Sequence, residues 1–182
     1  MHRTSRHDPM PIIQSRFANR ALKEDPIPDE ALNAMLEAAS FAPSCFNEQP
    51  WRFLVATGER KEKLLTTLTP KNQNWAHRAP VLLLVAAKQT FTNNGKPNFW
   101  HQYDTGCACG FLILEAEHRG IVAHPMAGFN RAQAAEAFDL PEDLTIITVI
   151  AIGYPGDVSV LSASDQERNH PNERKPIDEL LL

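Results

Sequence analysis

Two apolar rhythms run along this chain and divide it into helices and strands. Leu32, Met35, Leu36 and Ala39 recur at the spacing of one helical face. The extended Asp25-Pro26-Ile27-Pro28 leads into that stripe, Asp29 and Glu30 occupy its favourable N-terminal end, and Pro43 stops it. Residues 51–57 (WRFLVAT) and 80–87 (PVLLLVAA) are short apolar runs that predict strands; the second is apolar on both faces, as a central strand is. Residues 59–68 carry a helical pattern between them, and residues 93–98 (NNGKPN) read as a loop. Residues 104–119 predict a long helix closed by Gly120, with a middle (Ala108, Phe111, Leu112, Ile113, Leu114) apolar nearly all round. Such a helix needs cover on more than one side, and in a chain this small a second subunit would supply it.

At the N-terminal end, Ile12, Ile13 and Phe17 predict a short opening helix with Arg16 and Arg20 on its far side. Residues 121–125 read as a short strand or bend, and Asn130 caps a helix running to about Phe138, with Gln133 placed to answer it. Residues 144–154 (LTIITVIAIGY) form the most β-branched run and predict a strand. From Pro155 onward the chain is polar and loop-rich but ends on the apolar Leu180, Leu181 and Leu182. That terminus is expected to pack on a partner subunit.

Length and composition narrow the class. A chain of 182 residues is one domain by length. A net charge of -4 gives no reason to expect a nucleic acid or an anionic membrane as partner. No apolar run approaches the roughly 20 residues of a membrane span. The polar, His- and Arg-rich start lacks the apolar core of a secretion signal, so residues 1–15 are expected to be a flexible leader before a domain at 16–182. Cys45, Cys107 and Cys109 are odd in number and lack metal-ligand spacing, the usage of a reducing cytoplasm; no metal is expected.

The candidate chemistry lies in a few segments. Arg16 and Arg20, four apart, suit a phosphate, because Arg presents a fixed fork of donors to anionic oxygens; their plain reading is a solvated helix face. Pro43-Ser44-Cys45-Phe46-Asn47-Glu48-Gln49-Pro50-Trp51 is rigid at both prolines and dense in hydroxyl and carboxamide groups. Such groups read the edge of a planar heteroaromatic ring, since a carboxamide carries donor and acceptor side by side. A phosphate clamp with a ring-reading loop suggests a bound mononucleotide. Asn72, Gln73 and Asn74 read as a turn, and Asp104 as the N-cap of the long helix. Cys45 has no paired His in a familiar local signature, so no residue is assigned as catalytic. Glycine-rich dinucleotide, Walker and zinc-protease motifs are missing.

Taken together these segments resemble the nitroreductase family. Residues 42–51 fit its Ala-Pro-Ser-x-x-Asn-x-Gln-Pro-Trp pattern, Arg16 and Arg20 its first basic pair, Arg174 its basic residue near the C-terminus, and Pro125-Met126-Ala127-Gly128-Phe129 its Pro-x-x-Gly-Phe segment. Ala18 departs from the family's frequent Ser. The resemblance implies an α+β fold, a central and mostly antiparallel sheet flanked by helices, in an intertwined homodimer with FMN sites at the interface. It implies that Arg16, Phe17, Ala18, Arg20 and Arg174 surround the phosphate, that Pro43, Ser44, Cys45 and Asn47 touch the flavin from the other subunit, and that the Ala127 and Gly128 N–H groups face the ring, with Gln73 at its pyrimidine edge. The implied activity is NADH- or NADPH-dependent reduction of nitroaromatics, quinones or another small electron acceptor by ping-pong hydride transfer. Alternatives are a member specific for one metabolite (an enone, a pteridine or a halogenated aromatic) and a non-catalytic flavin-binding protein.

Overall fold

A computed structural model describes residues 7–182. Four strands form one antiparallel sheet: β1 (Trp51–Ala56), β2 (Val81–Lys88), β3 (Val122–Met126) and β4 (Leu144–Gly153), in the order β1-β2-β4-β3. The long apolar runs therefore take the centre, with β2 and β4 paired from Val81↔Ile152 to Lys88↔Leu144 across a register shift at Val85/Ala86. Alternate residues of β2 serve two cores, because successive side chains on a strand point to opposite faces. Leu82 and Leu84 join Leu22, Leu64, Trp75 and Val149, while Leu83 and Val85 join Met35, Trp51, Leu112 and Ile150. Each such side chain contributes about 1.5–3 kcal/mol by leaving water.

Helices cover both faces. α2 (Asp29–Ser40) and α5 (His101–His118) pack on each other over the second core. α3 (Gly58–Leu65), α4 (Pro70–Ala76) and α6 (Arg131–Ala137) place Leu64, Trp75 and Ala134 in the first. The α6 cap is as expected: Asn130 Oδ1 accepts the Gln133 N–H at 3.1 Å. Gly120 follows α5 at φ 68°, the left-handed conformation that glycine adopts without strain. After β4 the chain forms a 3-10 turn (Val158–Val160), α7 (Ala163–Gln166) and a last 3-10 turn (Ile177–Glu179). Among the described residues no helix is long and apolar enough to cross a membrane.

Three local expectations are corrected. The opening helix α1 is only Pro11–Ser15, and Arg16 already lies at φ -58°, ψ 126°, so Arg16 to Arg20 leave the helix and do not ride on its far side. One turn is too short to propagate by itself, and tertiary hydrogen bonds take the next residues. Residues 72–74 are helical in α4, not a turn; Pro70 starts the helix, and the buried Trp75 and Ala76 hold it. Asp104 is not a cap, because α5 begins three residues earlier and carries it inside its first turn.

Several large apolar side chains have little cover within the chain. Phe46, Phe99, Trp100, Tyr103 and Phe111 are exposed, as are Leu180, Leu181 and Leu182. The over-apolar middle of α5 thus keeps one face toward the outside.

Candidate functional site

A cationic cluster gathers where residues 16–20 meet residues 168–174. Arg16 is half-buried; burial lowers the pKa of its guanidinium, the neighbouring Arg174 charge lowers it further, and Glu117 opposes both. Glu117 is itself held by the Ser15 hydroxyl at 2.8 Å. Arg174 is exposed, its Nη1 donating to the carbonyls of Asn172 and Glu173, each at 3.0 Å. Arg20 donates its backbone N–H to Asn169 Oδ1 at 2.8 Å and its Nη1 to the Arg168 carbonyl at 3.4 Å. Phe17 and Ala18, half-buried, lie in the segment between the two arginines.

His124, on β3, closes the cluster from beneath. Its Nδ1 donates to the Asn19 carbonyl at 3.1 Å, and its ring lies 4.5 Å from that of Trp75, tilted by 33°. Burial pushes the imidazole down to about 4, with the charges of Arg20 and Arg16 adding to that shift and the Asn19 hydrogen bond resisting it. The ring is therefore neutral near pH 7, and the positive charge resides on the arginines. Like charges held together this way favour an anion between them.

The 43–50 loop is tightly wound. Phe46, Asn47 and Gln49 all have φ between 52° and 56°, where side chains other than glycine are strained. Hydrogen bonds hold the strain in place. Asp104 Oδ2 accepts the Cys45 N–H at 3.0 Å, Ser44 Oγ accepts the Gln49 N–H at 3.0 Å, and Glu48 Oε1 accepts the Thr92 N–H at 2.9 Å. Gln49 Nε2 donates to Asn47 Oδ1 at 3.2 Å. The loop keeps Pro43 and Asn47 exposed and Ser44 and Cys45 half-buried. Asp104, read as a cap from sequence, is instead a buried prop for this loop.

The segment after β3 is fixed from α4. The Gly128 carbonyl accepts the Thr69 N–H at 2.9 Å and Asn72 Nδ2 at 3.0 Å. A Cβ at Gly128 would lie 2.8 Å from Asn72 Nδ2 and 2.9 Å from Thr69 Oγ1, so a larger residue there would force those two side chains to shift. Ala127 beside it is exposed. Gln73 Nε2 donates to the Leu68 carbonyl at 2.7 Å, which ties that amide to its own helix approach.

These groups form two halves. Arg16, Arg20 and His124 gather at β3, and Gly128 follows that strand, whereas the 43–50 loop runs into β1 at the opposite edge. Three strand spacings separate those edges, about 14 Å. An open cleft of about 450 Å³ lined by Arg52, Phe53, Arg60 and Leu144 lies on the β1 side, away from the cationic cluster. The three cysteines are free, and burial pushes the Cys109 thiol up to about 11, so it is unreactive at neutral pH. Among the described residues no group of His, Cys, Asp and Glu could hold a metal ion. Sequence reasoning read Asn72 only as part of a turn and gave no role to Asn19, His124 or Asn169, because each acts through a partner distant in sequence.

Comparison with known proteins gives the arrangement a family. The model described as "Nitroreductase family" matches residues 13–69 and 61–154. A solved structure of an oxidoreductase containing FMN superposes with a TM-score of 0.95 at 33% identity, over 99% of this chain and 93% of that one. The Thermus thermophilus protein named NADH dehydrogenase is 25% identical over 210 residues, 95% of this chain and 97% of its own. A Streptomyces coelicolor protein, described as a candidate NADH dehydrogenase/NAD(P)H nitroreductase, is 30% identical over 152 residues, 72% of this chain and 75% of its own.

Proposed function

The chain belongs to the nitroreductase family, and on that premise we propose that it is an FMN-dependent oxidoreductase. It takes hydride from NADH or NADPH and passes electrons to a small acceptor such as a nitroaromatic or a quinone in a ping-pong cycle. The single observation that carries this reading is the cluster of Arg16, Arg20 and Arg174. Arg16 has a depressed pKa because it is desolvated, with the Arg174 charge lowering it further and Glu117 opposing both. A phosphate monoester relieves that repulsion and uses the forked donors of several arginines at once. The donor set therefore fits FMN, and the similar FMN-containing oxidoreductase supports the same cofactor.

Bound there, FMN supplies the hydride acceptor and the electron donor, and the protein binds and orients it. In this reading Arg16, Arg20 and Arg174 hold the phosphate, with the backbone of Phe17 and Ala18 alongside. The Ala127 and Gly128 N–H groups face the ring, positioned by the Thr69 and Asn72 hydrogen bonds to the Gly128 carbonyl. Gln73 lies near the pyrimidine edge. Pro43, Ser44, Cys45 and Asn47 bound the ring from a second copy of the chain, a role supported by their place at the opposite edge of the sheet. The exposed Phe99, Trp100, Tyr103 and Phe111 and the C-terminal leucines belong to the same cytoplasmic homodimer. No side chain is a nucleophile.

An absorption spectrum followed by anaerobic addition of NADH or NADPH and an acceptor panel tests the proposal. The expected result is a yellow dimer that bleaches with a reduced nicotinamide and recovers with a nitroaromatic or quinone. A colourless protein that takes up no FMN, or a yellow one that neither nucleotide bleaches, overturns it.

A further inference from the structure

Two carboxamides far apart in sequence are joined by one hydrogen bond beside the arginines. Asn169 Nδ2 donates to Asn19 Oδ1 at 2.9 Å, and Asn169 Oδ1 accepts the Arg20 N–H at 2.8 Å. Asn19 Oδ1 also accepts the Ala21 N–H at 2.8 Å. Each oxygen thus faces a backbone N–H, which can only donate, so the orientation of both amides is determined by chemistry and not by choice. The Asn19 carbonyl is taken by His124, and Asn19 is 8% exposed. The backbone of residues 19–21 is therefore held from the tail, from β3 and from within itself.

We propose that Asn169 is a positioning residue for cofactor binding: paired with Asn19, it latches the C-terminal tail to the N-terminal arginine segment and so assembles the phosphate clamp from both segments. The inference rests on the reading of Arg16, Arg20 and Arg174 as the phosphate site. The latch acts on both halves of that site. On one side it fixes the point from which Arg20 leaves the backbone. On the other it pins the tail five residues before Arg174, within a chain reach of about 17 Å. Asn169 is itself held at the exit of α7, where its N–H donates to the Gln166 carbonyl at 3.1 Å. An exposed arginine on an untethered tail loses much conformational freedom when it binds an anion, and a tether removes part of that loss beforehand. A neutral carboxamide suits the position. It supplies one donor and one acceptor without placing negative charge beside a phosphate, which Asp would do.

The full-length chain, cleared of flavin and refilled, tests the latch with two ligands that differ only in the phosphate. In Asn169→Ala the Kd for FMN is expected to rise about ten-fold or more, the scale of a lost hydrogen bond plus a loosened charge contact. The Kd for riboflavin stays within about two-fold of the wild type. Equal weakening of both ligands would mean a general structural role and would overturn the latch. So would an unchanged FMN affinity in Asn169→Ala when Arg20→Ala loses FMN selectively. If Arg16→Ala and Arg20→Ala also leave FMN affinity untouched, the phosphate reading itself fails and takes the latch with it. Should Asn169→Ala not fold, Asn169→Ser gives the same comparison, since its hydroxyl is too short to span to Asn19 and Arg20 together.

Discussion

Single residues at this site act mostly by holding a neighbour. Gly128 illustrates it: its carbonyl is gripped from Thr69 and Asn72, and a methyl group there would meet both side chains inside contact distance. Gly128→Ala is expected to destabilise the protein by about 1–3 kcal/mol, the range for overpacking a held site. Asn72→Ala in the same chain removes the nearest obstacle. The two substitutions together should therefore cost less than the sum of the singles, by at least about 0.5 kcal/mol in a double-mutant cycle followed by urea denaturation. Additive costs would show that Asn72 is not what excludes the methyl group.

At the scale of elements, the start of α5 and the loop before β1 form one unit. Three residues of that loop sit in the left-handed region without being glycine, and the buried Asp104 carboxyl oxygen accepts the Cys45 N–H at its start. Removing the acceptor leaves that N–H without its partner, and a hydrogen bond to such a group is worth about 1.5–3 kcal/mol when the acceptor is charged. Asp104→Ala should speed amide exchange at Cys45 and Gln49 by ten-fold or more while α2 stays protected. Asp104→Asn retains an oxygen at the same place and should keep most of the protection. Equal loss of protection across α2 would assign Asp104 to the core and not to the loop.

For the whole molecule, His124 couples stability to pH. Burial lowers its pKa from 6.5 to about 4, so the folded state resists a proton that the unfolded chain accepts readily. The stability that depends on the neutral ring is complete above about pH 6.5, is lost progressively as the pH falls below that value, and is fully lost below about pH 4. Between pH 7 and pH 4.5 the loss should be about 2 kcal/mol from this residue. Unfolding free energies at fixed protein and flavin concentration measure it, and His124→Gln should flatten the curve in that window. A wild-type curve already flat there would mean the ring is not held neutral.

Much of this molecule was legible in its sequence. The stripe of Leu32, Met35 and Ala39, the apolar run of β2, the β-branched run of β4 and the Asn130 cap are local patterns, and local sterics and burial decide them. The family likewise followed from contiguous motifs at residues 16–20, 42–51 and 125–129, which need no knowledge of what lies beside them. Tertiary structure alone decided the rest. Whether residues 16–20 continue a helix depends on His124 and Asn169, more than a hundred positions away, whose hydrogen bonds outweigh the weak drive of a one-turn helix. Whether residues 72–74 are helix or turn depends on burying Trp75, and whether Asp104 caps a helix or props a loop depends on where the Cys45 N–H falls. Asn, His and Asp carry no periodicity of their own; each takes its role from the partner that folding brings to it, and only the folded chain contains that partner.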